Sequence, residues 1–120
     1  SETDTIEETA YGNYTEKNGK QYITYKTEND GDKISSMIKI DGNEILIKRT
    51  GSVNSSMTYK VDTKKEFLYH LPYGTVPMEI ETQRIVSKLD ENGGTIELVY
   101  TLMVQGEKYF NDMKITVSKR

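Results

Sequence analysis

Apolar and polar residues alternate with a period of two along most of the chain. Ile34, Ser36, Ile38 and Ile40 fall on one face, followed by Ile45, Ile47 and Arg49, and then by Val53, Ser55, Met57, Tyr59 and Val61. Further on, Val76, Met78, Ile80 and Thr82 stand opposite Glu79, Glu81 and Gln83, while Ile96, Leu98, Tyr100, Leu102 and Val104 keep the same beat. Met113, Ile115 and Val117 close the series. One apolar and one wet face per segment is the signature of half-buried β-strands. The parity slips after Ile80, because Ile85, Val86 and Leu89 do not continue it, so a bulge or sharp bend is expected near Gln83 and Arg84.

Turn-forming residues punctuate these segments at Asn18-Gly19, Asn29 to Gly31, Asp41-Gly42, Gly51-Ser52, Asp62-Thr63, Pro72 to Gly74, Asn92 to Gly94 and Gln105-Gly106. Asn-Gly and Asp-Gly accept the positive φ of two-residue hairpins, so direct antiparallel connections are expected at several of them. Eight turns predict roughly nine strands. A single alanine, Ala10, and the absence of any sustained helical period argue against helices. A meander of this many one-sided strands must close or stack, and short sequential hairpins favour closure. The expectation is an all-β, antiparallel up-and-down barrel forming a single domain over 1–120, with 1–5 as a flexible acidic tail.

Composition narrows the chemistry. The 120 residues include no cysteine and one histidine, His70, which removes thiolate chemistry, iron–sulfur ligation and sites built from several imidazoles. No metal and no cofactor are expected. Sixteen basic against nineteen acidic side chains give a net charge of −3, which disfavours nucleic acid and anionic membranes as partners. The longest aliphatic run is Ile45-Leu46-Ile47, far below the roughly 20 residues that span a bilayer as a helix. The amino end carries Glu2, Asp4, Glu7 and Glu8 without a basic residue, the reverse of a secretion signal, and a cytoplasmic location is expected.

The string Lys48-Arg49-Thr50-Gly51-Ser52, then Met57, then Leu68-Tyr69-His70-Leu71-Pro72-Tyr73-Gly74-Thr75, with Thr82 and Leu98-Val99-Tyr100-Thr101-Leu102, resembles the YwiB-like bacterial family. The similarity runs from about Ile6 to Ser118. The resemblance implies a lipocalin-like, calycin-type β-barrel, and brings no activity, substrate or catalytic residue with it. It also implies a further apolar strand ahead of Ile6, whose absence would leave an edge that another molecule fills. The tryptophan of the Gly-x-Trp motif of lipocalins is missing here.

Arg49 is the residue that most needs an explanation, because alternation puts it on the face of Ile45 and Ile47. A guanidinium there must meet a carboxylate, backbone carbonyls or a bound anion, or reach water at the rim. Tyr59, Tyr69 and Tyr100 face inward by parity, with Tyr73 at a turn, and Met57 beside them offers adaptable surface. These six residues, Arg49, Met57, Tyr59, Tyr69, Tyr73 and Tyr100, are the candidate ligand-binding set, suited to a small amphipathic ligand with an anionic end. Solid packing by the same aromatic side chains is the competing expectation. His70 falls on the outer face, and neither it nor the Glu79 and Glu81 pair has a catalytic partner nearby in sequence, so no enzyme is expected. The competing class is an interaction or structural module acting through a strand edge or as a homodimer.

Overall fold

A computed structural model describes residues 3–119, with the side chains of Asn29 and Leu71 outside that description. The described residues form nine strands: β1 (Thr3–Lys17), β2 (Lys20–Asn29), β3 (Asp32–Asp41), β4 (Glu44–Gly51), β5 (Ser55–Lys60), β6 (Lys64–Leu71), β7 (Gly74–Asp90), β8 (Gly93–Val104) and β9 (Glu107–Lys119). Tight turns join them where the sequence places Gly, Asn and Asp. Asn18, Asp30 and Gln105 adopt positive φ beside Gly19, Gly31 and Gly106, as two-residue hairpins require. The expected slip in β7 is a register shift between Thr82 and Arg84.

The strands lie in the order β5-β4-β3-β2-β1-β9-β8-β7-β6 and make a nearly closed barrel. Every pair is antiparallel except β1 with β9, which runs parallel from Thr3↔Phe110 to Gly12↔Lys119. This corrects the purely antiparallel expectation, and the reason is arithmetic. In a meander each strand reverses the last, so the first and ninth point the same way, and joining them forces a parallel ladder. The same ladder corrects the acidic tail. Thr3, Asp4 and Thr5 belong to β1, each paired to β9, whereas Ser1 and Glu2 lie outside the described residues.

β1 is shared between two halves of the wall. Its first part, up to Gly12, pairs with β9, and its second part, from Asn13↔Thr24 to Lys17↔Lys20, pairs with β2. Gly12 sits buried where the strand changes partner. A Cβ there would come to 2.5 Å from the Thr24 carbonyl oxygen and 3.1 Å from the Tyr25 Cβ, so the close approach requires glycine.

At the far side of the row, β5 and β6 do not pair with each other. The link between them is held to β7 instead: Asp62 N–H donates to the Thr82 carbonyl at 3.0 Å, and Val61 and Thr82 form an isolated parallel bridge. Both seams, β1/β2 and β5/β6, are thus joined at one end of the barrel and diverge toward the other. The joined end is further tied by Gln21 Nε2, which donates to the Tyr14 hydroxyl at 2.9 Å and to the Leu89 carbonyl at 3.0 Å.

The core follows the alternation. Ile23, Ile38, Ile45, Ile80, Ile96, Leu98 and Ile115 are wholly buried in the middle of the barrel, each a β-branched or branched side chain on an inward position. No helix among the described residues is long and apolar enough to cross a membrane.

Candidate functional site

Toward the open end the inner face changes character. Ile6 on β1, Ile34 on β3, Met57 on β5, Phe67 and Tyr69 on β6, and Met78 on β7 take inward positions yet are only half-buried. Apolar side chains aimed at an interior and left incompletely covered make a mouth that is greasy on the inside.

Four polar side chains at this mouth form one connected cluster. Tyr25, Ser36 and Arg49 stand side by side in a row across three strands, through the pairs Tyr25↔Ser36 and Ser36↔Arg49. Glu8 reaches them from β1. Arg49 Nη2 donates to Glu8 Oε2 at 2.9 Å, and Nη1 donates to Glu8 Oε1 at 3.2 Å and to Ser36 Oγ at 3.0 Å. The Tyr25 hydroxyl donates to Glu8 Oε1 at 2.7 Å. This is the two-pronged guanidinium–carboxylate fit, which is stronger than a point contact. Both charged side chains keep 21% of their exposure, which places the pair near the mouth rather than in the deep core.

The electrostatics agree with the geometry. Burial alone would raise the Glu8 carboxyl, but the hydrogen bonds from Arg49 and Tyr25, with the Arg49 charge, outweigh it and hold the group below its ordinary value. Burial likewise works against the Arg49 cation, and Glu8 overcomes it, leaving the guanidinium more basic than usual. Tyr25 is pushed up to about 12, first by burial and, against the nearby Arg49 charge, by its bond to Glu8.

Arg49 therefore meets a carboxylate, one of the partners its inward position demands, and that carboxylate belongs to the chain. Sequence reasoning missed Glu8. Its signal was parity: Glu8 shares the face of Ile6 and Ala10, which was obscured by the run of acids around it.

The other candidate residues divide. Tyr59 and Tyr100 are buried and meet edge to face, ring centroids 5.0 Å apart. Burial above all drives both phenols to less acidic values. The Tyr59 hydroxyl donates to Met57 Sδ at 3.4 Å, which joins the half-buried Met57 to the buried tyrosine pair. Tyr69 is half-buried on the inner face of β6, opposite Val76. Tyr73 is not brought to the site: it lies at the tip of the β6–β7 hairpin, 86% exposed, because the turn projects past the end of β8. His70 is exposed, with its Nδ1 3.5 Å from Thr75 Oγ1, and Glu81 pairs with Lys64 at 3.6 Å on the outer face.

Recessed spaces also lie on the outside of the wall. A depression of about 600 Å³ is lined by Asn13, Thr24, Lys26, Ser35, Met37, Lys48 and Thr50 and also touches Tyr25 and Ser36, and one of about 340 Å³ is lined by Leu68, Pro77, Met103 and two glutamates and touches Phe67 and Met78.

The domain model described as "Domain of unknown function (DUF1934)" matches residues 1–117. The chain belongs to the DUF1934 family. Among curated proteins it is 30% identical over 112 residues to the uncharacterized beta-barrel protein YwiB of Bacillus subtilis (strain 168), covering 92% of this chain and 79% of that one. The crystal structure of the ywiB protein from Bacillus subtilis superposes with a TM-score of 0.75 at 28% identity, over 86% of this chain and 70% of the other. The resemblance to the YwiB-like family read from Lys48–Ser52, Leu68–Thr75 and Leu98–Leu102 is thus sound.

Proposed function

We propose that the protein is a non-enzymatic binding barrel that takes a small, partly apolar ligand at its open end, with the ligand's polar end toward Arg49. The carrying observation is the half-buried inward set of Ile6, Ile34, Met57, Phe67, Tyr69 and Met78 around the cluster of Glu8, Tyr25, Ser36 and Arg49. Such a site, mostly apolar with a few convergent donors, is the usual form of a small-molecule pocket. Native mass spectrometry of the purified protein, with thermal shifts against fatty acids and other amphipathic anions, tests the reading. A retained small molecule or a rise in Tm of several degrees supports it, and silence across the panel contradicts it.

A second reading, an interaction module that pairs with a second copy, has its own observation in the exposed Leu68 beside Pro77 and Met103 on the outer wall. Pairing along the strand edges is the weaker form of it. β5 has only six residues, and β6 carries Lys65 on its inward side opposite Ile80, both devices that oppose edge-to-edge addition. Light scattering separates the readings: a dimer that Leu68→Asp dissolves favours the second.

A further inference from the structure

The groups that surround the Glu8 carboxylate are unevenly divided between the halves of the barrel wall. Tyr25, Ser36 and Arg49 form a single row on β2, β3 and β4, in which Arg49 Nη1 also donates to Ser36 Oγ while the Tyr25 hydroxyl donates to Glu8. Glu8 arrives from the part of β1 that pairs only with β9. The row is a carboxylate receptor complete on one side of the seam, and its occupant is delivered from the other.

Resting on the binding reading above, we infer that Glu8 is an intramolecular competitor: the ligand is a carboxylate-headed amphiphile that binds by replacing Glu8 on Arg49 and Tyr25. Three features of the seam suit this exchange. The β1–β2 ladder begins at Asn13↔Thr24, so freeing Glu8 breaks no ladder bond between those strands. Gly12, packed against Thr24 and Tyr25, marks the point where the two strands part, so Glu8 lies on the side of β1 that β2 does not hold. An incoming carboxylate regains the two guanidinium bonds and the phenol bond that Glu8 gives up, while Glu8 regains water at the rim. The electrostatic exchange is then nearly even, and the apolar tail, covering Met57, Phe67 and Met78, supplies the net drive. A carboxylate tethered beside the receptor acts at a high effective concentration, so it sets a handicap on every external competitor.

The test compares laurate with dodecanol, which share a tail and differ in the head, by calorimetric titration of the wild type and of Glu8→Gln. The expected result is that Glu8→Gln binds laurate at least about tenfold tighter than the wild type does, with dodecanol unchanged, and that adding Tyr25→Phe takes back part of the gain. Equal laurate affinity in the two proteins, or an equal gain for dodecanol, overturns the competitor role while leaving a binding barrel. Absence of binding by either compound to either protein removes the binding reading itself. Should Glu8→Gln fail to fold, carbon-detected NMR of the wild type decides. Saturating laurate returns the Glu8 side-chain carboxyl to an ordinary titration if it is displaced, and leaves it depressed if it is not.

Discussion

Glu8 and Arg49 lie 41 positions apart and meet fork to fork, at 2.9 and 3.2 Å, across a seam that no β1–β2 ladder bond crosses. The pair is a clasp between the two halves of the barrel wall, set where the strands diverge. Removing one member leaves the other partly buried without a counter-charge. Arg49→Ala is expected to cost about 1–3 kcal/mol, below the value for a fully buried pair because water still reaches both groups. The double variant Glu8→Leu with Arg49→Met should recover part of that loss, since apolar side chains of similar volume suit the lining. Urea unfolding of the three proteins measures both numbers, and the idea of a clasp is wrong if Arg49→Ala is neutral.

The clasp also fixes a pH dependence. Glu8 is held below its ordinary value of 4.5 in the folded protein, so its contribution is fully present above that value and is lost as pH falls through the lower folded one. The stability gap between the wild type and Glu8→Gln should therefore be constant near neutrality and shrink below about pH 4.5. Tyr25 acts at the other limit. With its folded value raised from 10.0 to about 12, its neutral form contributes stability below pH 10 that disappears as pH climbs through the folded value. Unfolding curves from pH 3 to pH 7, and for Tyr25→Phe from pH 8 to pH 12, show whether each gap moves in the stated direction.

Gly12 is the position at which β1 leaves β9 for β2, and a methyl group there collides with the backbone of β2. Gly12→Ala is expected to destabilise by about 1–3 kcal/mol, in the manner of overpacking rather than of turn strain. Its effect should be felt at the clasp as well. Amide exchange of the Tyr25 region should accelerate in the variant, and unchanged exchange would argue that the strand adjusts without opening the seam.

The inner face should respond differently along its length. Ile96 is wholly buried in the middle, and Ile96→Ala is expected to cost about 2–5 kcal/mol. Met57, half-buried at the mouth, should cost about 1 kcal/mol or less on conversion to alanine, because little cavity is created. The binding of an amphipathic ligand should follow the opposite order, weakened by Met57→Ala and untouched by a mild core change such as Ile96→Val. Parallel stability and affinity measurements on these variants reveal whether the mouth is separate from the core.

Much of this architecture was readable because a strand's period is two and its turns have distinctive residues. The alternation from Ile34 to Val61 and from Ile96 to Val104 carried the strand count, the inward face and the place of Arg49. The parity break after Ile80 located the bulge at Thr82 and Arg84. What the pattern could not convey was partnership at long range. The β1–β9 ladder joins residues more than a hundred positions apart, and Thr3 to Thr5, polar and exposed, are strand only because β9 lies beside them. Glu8 was lost for the same reason: among Glu2, Asp4 and Glu7 it looked solvated, and only the third dimension brings Arg49 to it. Tyr73 lies at its turn as the sequence places it, but the hairpin extends beyond the wall and carries the ring into solvent, which alternation alone does not convey.

The central claim is that one end of this barrel is an open apolar mouth built around the Tyr25, Ser36 and Arg49 row. Amide and methyl NMR mapping during a laurate titration tests it most directly. The account predicts shifts concentrated at Ile6, Glu8, Tyr25, Arg49, Met57 and Phe67, with Ile23, Ile45 and Ile115 still. Shifts gathered instead on Thr24, Lys26 and Lys48 of the outer wall, or a spectrum unchanged at saturation, would contradict it.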